Sequence, residues 1–180
     1  AALKWLTKAQ NTYSHCSLNV PPYVCFVLAK EFKRSKQLSQ AYKHAKLAVE
    51  MAKKAIQRDD VTLAIYCCGL AYLDEQNHKT EQSLRAYRES LVMYDSRCAT
   101  SPVLPQLAEC LLLGQASCSL KLGDFQAAQV SVNKAFSIVK RFPSWSSFPD
   151  ISRQRTIMLL GILDKQIKSH STEGLSDWWF

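Results

Sequence analysis

The chain is 180 residues long, carries a formal net charge of +8, and is 47% hydrophobic, with only five glycines and six prolines. That length suits one domain with a sizeable core, and so little glycine and proline excludes collagen-like and low-complexity architectures. No apolar run is long enough to span a bilayer, and the N-terminal residues lack the basic, apolar and small-residue order of a secretory leader.

Apolar residues recur at helical spacing between proline and glycine punctuation, which predicts an all-α chain. Taken in order, helices are expected over roughly residues 1–15, 21–34, 37–57, 60–76, 79–97, 103–122, 125–141 and 150–169. Pro21-Pro22, Pro102, Pro105, Pro143 and Pro149 fall at helix starts or between helices, where a missing N–H costs little. Gly123-Asp124 is the clearest turn. The Asp124 carboxylate can accept free N–H groups of the helix that follows, and Asp59-Asp60 can do the same before Val61.

A small-residue pattern repeats along these helices. The chain has Leu28-Ala29-x2-Phe32 followed by Ala41-x3-Ala45-x2-Ala48, then Cys68-Gly69-x2-Tyr72 followed by Ser83-x3-Tyr87-x2-Ser90. A third copy is Leu113-Gly114-x2-Ser117 followed by Ala128-x3-Val132-x2-Ala135. The small positions lie twelve residues apart in the first copy and fourteen in the other two, so a longer helix or a longer turn must absorb two residues. Ala2-x3-Leu6-x2-Ala9 matches the second half of the pattern, and Leu160-Gly161 the first half. The chain is therefore expected to be a piece of a longer array, or its end, because such stacks need capping units.

This pattern resembles the tetratricopeptide repeat family, in which an aromatic residue, Leu-Gly and Tyr on one helix precede Ala, an aromatic and Pro on the next. The aromatic position is held here by Cys25, Ile65 and Cys110, and the proline only loosely by Pro102 and Pro143. The resemblance implies a right-handed superhelical stack of antiparallel helix hairpins. It divides one domain, residues 1–170, into a partial repeat at 1–16, hairpins at about 21–57, 60–97 and 103–141, and a final helix, followed by a tail at 171–180. The small residue late in each first helix is expected to let the second helix of the same hairpin pack closely.

A stack of hairpins builds an extended surface, so the expected function is a non-catalytic scaffold that binds a partner's peptide or helix. In the family the first helices line the inner groove. That implies inward positions three before and one after each small residue: Phe26 and Lys30, Tyr66 and Leu70, Leu111 and Gln115, and Met158 and Ile162. Tyr23, Lys33, Arg34, Leu63, Leu73, Ala108 and Arg155 lie one turn away on the same faces. Such a groove is apolar in its middle and basic at one end, which suits an apolar segment with acidic flanks. Family members that clamp a C-terminal carboxylate carry Asn and Lys at the inward positions, and here only Lys30 fits that pattern. A second reading makes the same residues core, covered by a neighbouring repeat, a partner subunit or the chain's own tail.

Charge supplies the rival function. Residues 30–58 hold nine Lys or Arg against Glu31 and Glu50, a net +7. Such a patch attracts an acidic protein segment, nucleic acid or another polyanion, although a solvated helix face accounts for it as well. The stretch offers few aromatics for base stacking, chiefly Phe32 and Tyr42.

The seven cysteines show no C-x2-C spacing, so they are expected to be buried reduced thiols of an intracellular protein, in cytoplasm or nucleus, with no metal or other cofactor. No G-x-S-x-G, H-E-x-x-H, phosphate-loop or G-x-G-x-x-G motif occurs, which argues against an enzyme. The tail ends in Asp177-Trp178-Trp179-Phe180. Three adjacent aromatics are expected to dock, either as a cap on the last hairpin or as an anchor in another protein.

Overall fold

The computed structural model describes residues 2–15, 20–57, 59–98, 105–141 and 153–170. Among the described residues it is all helix, with no strand: α1 Ala2–His15, α2 Pro22–Arg34, α3 Leu38–Lys53, α4 Asp60–Gln76, α5 Thr80–Cys98, α6 Pro105–Lys121, α7 Phe125–Arg141 and α8 Arg153–Ser169. The closest packing is within the pairs α2/α3, α4/α5 and α6/α7. Every helix also packs on the next along the chain, and α4 touches α6, as α6 touches α8.

Local chemistry explains the starts of α2, α4 and α7. Pro21, with ψ at 140°, precedes Pro22 at the first turn of α2. Asp59 alone caps α4, accepting from Val61 N at 3.1 Å and from the Thr62 hydroxyl, while Asp60 is already helical and buried. Asp124 caps α7 by accepting from Ala127 N at 2.9 Å. One end departs from expectation: α3 stops at Lys53. Its buried stripe of Ala41, Ala45, Ala48, Val49 and Ala52 ends there. Residues 53–57 are all exposed, so no burial offsets the entropy of ordering another turn.

Three hairpin turns share one backbone design. Lys36, His78 and Gly123 all have positive φ, at 61°, 61° and 78°. Each turn makes the same three bonds, shown by Asn77 N to Leu73 O, His78 N to Glu75 O and Lys79 N to Asp74 O. The last of these closes a helix C-terminus through a left-handed residue. From small residue to left-handed residue is seven positions in the first hairpin (Ala29 to Lys36) and nine in the others (Gly69 to His78, Gly114 to Gly123). The two additional residues therefore lengthen the end of the first helix and leave the turn unchanged. Helix α8 also ends on a left-handed residue, His170 at φ 51°, nine positions after Gly161.

The core runs through all the hairpins. Tyr72 and Tyr87 are its largest fully buried side chains. Helix α6 is buried at every position from 107 to 120, as expected of a helix with little amphipathic asymmetry. Ser83 sits where three helices meet, donating to Ala71 O of α4 at 2.6 Å and accepting from the Cys118 thiol of α6 at 3.4 Å.

The small residue Gly114 has a different role from the one expected. A Cβ there would lie 2.3 Å from Cζ of Tyr87, on α5 of the preceding hairpin. The missing side chain makes room between hairpins, for an aromatic ring. Gly161 does not repeat this, because nothing lies within 4 Å of its would-be Cβ. Helix α8 instead buries Leu160, Leu163 and Ile167 and leaves Ile157, Met158 and Ile162 exposed.

Of the cysteines, Cys25, Cys68, Cys110 and Cys118 are buried free thiols and Cys67 is partly buried. Burial raises the pKa of each, and of Cys118 to about 12 with Glu75 adding to the effect. They stay protonated and act as small apolar side chains. The side chains of Cys16 and Cys98 lie outside the described residues, as do Trp178, Trp179 and Phe180.

The two glycines give opposite expectations. Gly114→Ala drives a methyl into a fully buried ring and should cost ~1–3 kcal/mol. Gly161→Ala meets open space in a helix and should stabilise by ~0.5–1 kcal/mol. Urea unfolding midpoints of the two variants against the parent chain check both signs.

Candidate interaction surface

The residues expected to line an inner groove fall into three environments. Leu63, Tyr66, Leu73, Ala108 and Leu111 are core, at 6% exposure or less, with Leu111 at 0%. The apolar middle of the expected groove is therefore enclosed by the chain itself, because α4 and α6 carry apolar side chains on nearly every face. Tyr66 still receives Phe26, whose ring lies 4.8 Å away and tilted. Phe26 and Lys30 are half-buried, and Tyr23 is exposed. Met158 and Ile162 are exposed on α8, and the Arg155 side chain lies outside the described residues.

The basic cluster is divided by the fold. The half-buried Lys33 holds its ammonium 5.2 Å above the Tyr72 ring of α4, a cation–π contact that joins the first hairpin to the second. Arg34 pairs with Glu31 at 2.9 Å. Lys36, Lys43, Lys46, Lys53 and Lys54 are exposed at the α2/α3 turn and along α3. Lys46 lies 3.9 Å from Glu50, a surface pair of little energetic weight.

Leu70 and Gln115 lie in clefts walled by second helices, α5 and α7, instead of in a trough made of first helices. The larger cleft, of about 860 Å³, has Leu70 and Asp74 of α4 with Lys79, Gln82, Ala86 and Glu89 around them. The smaller, of about 350 Å³, has Gln115 with Asp124, Ala127, Ser131 and Lys134. The two are related by one offset of 45 residues: Leu70 to Gln115, Lys79 to Asp124, Gln82 to Ala127, Ala86 to Ser131 and Glu89 to Lys134. The same place recurs in successive hairpins with different chemistry.

Polar groups hold these clefts in place. Asp74 is 1% exposed. Its Oδ2 accepts from Gln82 Nε2 at 3.2 Å, and its Oδ1 has no hydrogen-bond donor. Lys79 Nζ lies 3.6 Å from that oxygen, 3.5 Å from the Tyr42 hydroxyl and 4.7 Å above the Tyr42 ring. Burial raises the Asp74 pKa, opposed by Lys79 and Tyr42. The adjacent Glu75, also buried, accepts from the Ser117 hydroxyl and from Lys121 Nζ, both at 2.6 Å. This bond set spans α4 and α6.

Sequence reasoning takes Asp74-Glu75 as a capping or solvated pair at a helix end, whereas both are buried, and it misses Lys79, Gln82 and Glu89. The usable signal was the 45-residue offset itself, carried from the small positions through to the second-helix faces. No protein-family model matches this chain, and no curated protein matches it. Among the described residues no helix is long and apolar enough to cross a membrane.

Two predictions follow from the buried carboxylates. A raised carboxyl pKa means that the fold disfavours the charged form, so this group adds stability as pH falls through the folded pKa and is a liability above it. Asp74→Asn should therefore raise the unfolding midpoint at pH 7, and the gain should shrink on acidification toward about pH 4. Lys121→Met leaves the Glu75 charge buried without its cation and should cost ~3 kcal/mol, most of it recovered by adding Glu75→Gln. Denaturant titrations, repeated across pH for Asp74, measure both.

Proposed function

We propose that this chain is a non-catalytic scaffold of the tetratricopeptide-like kind, a right-handed superhelical stack of hairpins that holds a segment of a partner protein on its surface. The observation that carries this reading is the recurrence of one cleft in two successive hairpins, framed by turns with identical hydrogen bonding. A surface repeated at a fixed interval suits a ligand that extends along it. The exposed or half-exposed members of the expected groove, Tyr23, Phe26, Lys30, Lys33 and Arg34, supply further contacts at the first hairpin. Its lysines favour an acidic flank in that part of the partner.

The exposed lysines of α3 support a second reading, in which a polyanion such as nucleic acid binds there through its phosphates. Salt separates the two. Protein recovered on the immobilised chain from an extract of its source cells should bind with an affinity that varies modestly between about 50 and about 200 mM salt, whereas phosphate binding should fall steeply. A Tyr23→Ala, Phe26→Ala double variant with an unchanged melting profile should lose about 10-fold in affinity for the recovered partner, equivalent to about 1.4 kcal/mol. Steep salt dependence with labelled RNA or DNA, and no protein recovered, would transfer the assignment to the polyanion.

A further inference from the structure

Helix α8 turns apolar side chains to the outside. Leu160, Leu163 and Ile167 are buried against the rest of the stack, while Ile157, Met158 and Ile162 are exposed at 40%, 58% and 37%. With about 3.6 residues per turn these three share one side of the helix with Gly161 and Lys165, both also exposed. The corresponding positions of α6, counted from Gly114 as these are from Gly161, are Cys110, Leu111 and Gln115, and all three are buried. Helix α6 is packed by α4, α5, α7 and α8, whereas α8 packs on α7 and α6. A contiguous exposed apolar strip marks a contact surface.

The chain that follows α8 has the matching chemistry. Residues 171–180, outside the described residues, contain Leu175, three adjacent aromatics, the acids Glu173 and Asp177, and no basic residue. We infer that this tail folds back along α8 and lays Trp178, Trp179 and Phe180 on the strip of Ile157, Met158 and Ile162, with Asp177 paired to Lys165. The inference goes beyond the scaffold reading, since it concerns a face that neither cleft includes, and of the two roles expected for these aromatics it assigns the cap. Length permits the contact. Trp178 comes eight residues after His170, up to ~26 Å of extended chain. Ile162 lies eight residues before His170, only ~12 Å back along the helix, and Ile157 ~20 Å back. The surplus length reverses the chain, with Gly174 free to take the turn. The order of charges agrees as well: a tail running back along α8 passes Lys165 before it reaches Ile162, and Asp177 comes before Trp178. A segment tethered by so short a connection has an effective concentration on the order of mM, which a second copy or a separate partner must exceed to take the strip.

The test uses the full chain carrying Trp5→Phe and Trp145→Phe, so that Trp178 and Trp179 supply all the tryptophan fluorescence. A synthetic peptide of residues 171–180 gives the undocked reference. Acrylamide should quench the tail tryptophans less in the chain than in the peptide, and their emission should be shifted to the blue. Ile162→Lys, at an exposed position, should return both readings to the peptide values. Asp177→Lys, which alters no described residue, should do so in part, and adding Lys165→Glu should restore the protection. Thermal melts confirm that each variant is folded. Quenching in the parent chain equal to that of the peptide overturns the proposal and leaves the strip open to a partner. Protection that survives both Ile162→Lys and Asp177→Lys also overturns it, as does protection that grows with protein concentration, which gives the strip to a second copy.

Discussion

The close approach of Tyr87 to Gly114 sets the spacing of α5 and α6, where the second and third hairpins meet. A ring from α5 occupies the volume that a side chain on α6 would need. Close by, Ser83 of α5 bonds to the α4 backbone and receives the Cys118 thiol. Three helices from two hairpins are thus drawn together where Ser83, Gly114 and Cys118 are small. Interiors pack at crystal-like density, so the separation of α5 and α6 admits no added methyl without displacing that ring.

Polar and cation–π contacts cross from each hairpin to the next. Inside the α2/α3 pair, alanines stack from Ala41 to Ala52. Between pairs, Lys33 crosses to Tyr72, Lys79 crosses to Tyr42, and Lys121 and Ser117 cross to Glu75. Apolar packing is tolerant of sliding, whereas a buried carboxylate with a short bond to one ammonium is not. These crossings tie each hairpin to the next. They also make the hairpin ends chemically distinct, since Asp74, His78 and Lys79 surround one turn while Ser119, Gly123 and Asp124 surround the next. Identical turn geometry with divergent side chains is how one repeated backbone presents several different surfaces.

Much of this was legible beforehand. The starts of α4 and α7 follow from Asp59 and Asp124, and the prolines at 22 and 105 mark the first residues of α2 and α6. The small-residue pattern located three closely packed helix pairs, although Gly114 makes room for a ring of the preceding pair and not for its own partner helix. The groove reading put Leu73 and Leu111 on an open face and the core reading put them inside; both are buried, and periodicity tells which residues share a face but not what covers that face. A helix as apolar as α6 has no polar side to turn outward, so its neighbours close over it.

The sequence alone determined the helices, their order and the interval at which small residues recur, because caps, prolines and apolar spacing act over a few residues. Only the tertiary structure decided that Gly114 serves a ring from the preceding hairpin, while Gly161 faces open space. It also brought Asp74 and Lys79 together with Tyr42 of a different hairpin. Those outcomes depend on the rotation of each helix about its axis, which is set by the summed packing of all its neighbours and by no local signal.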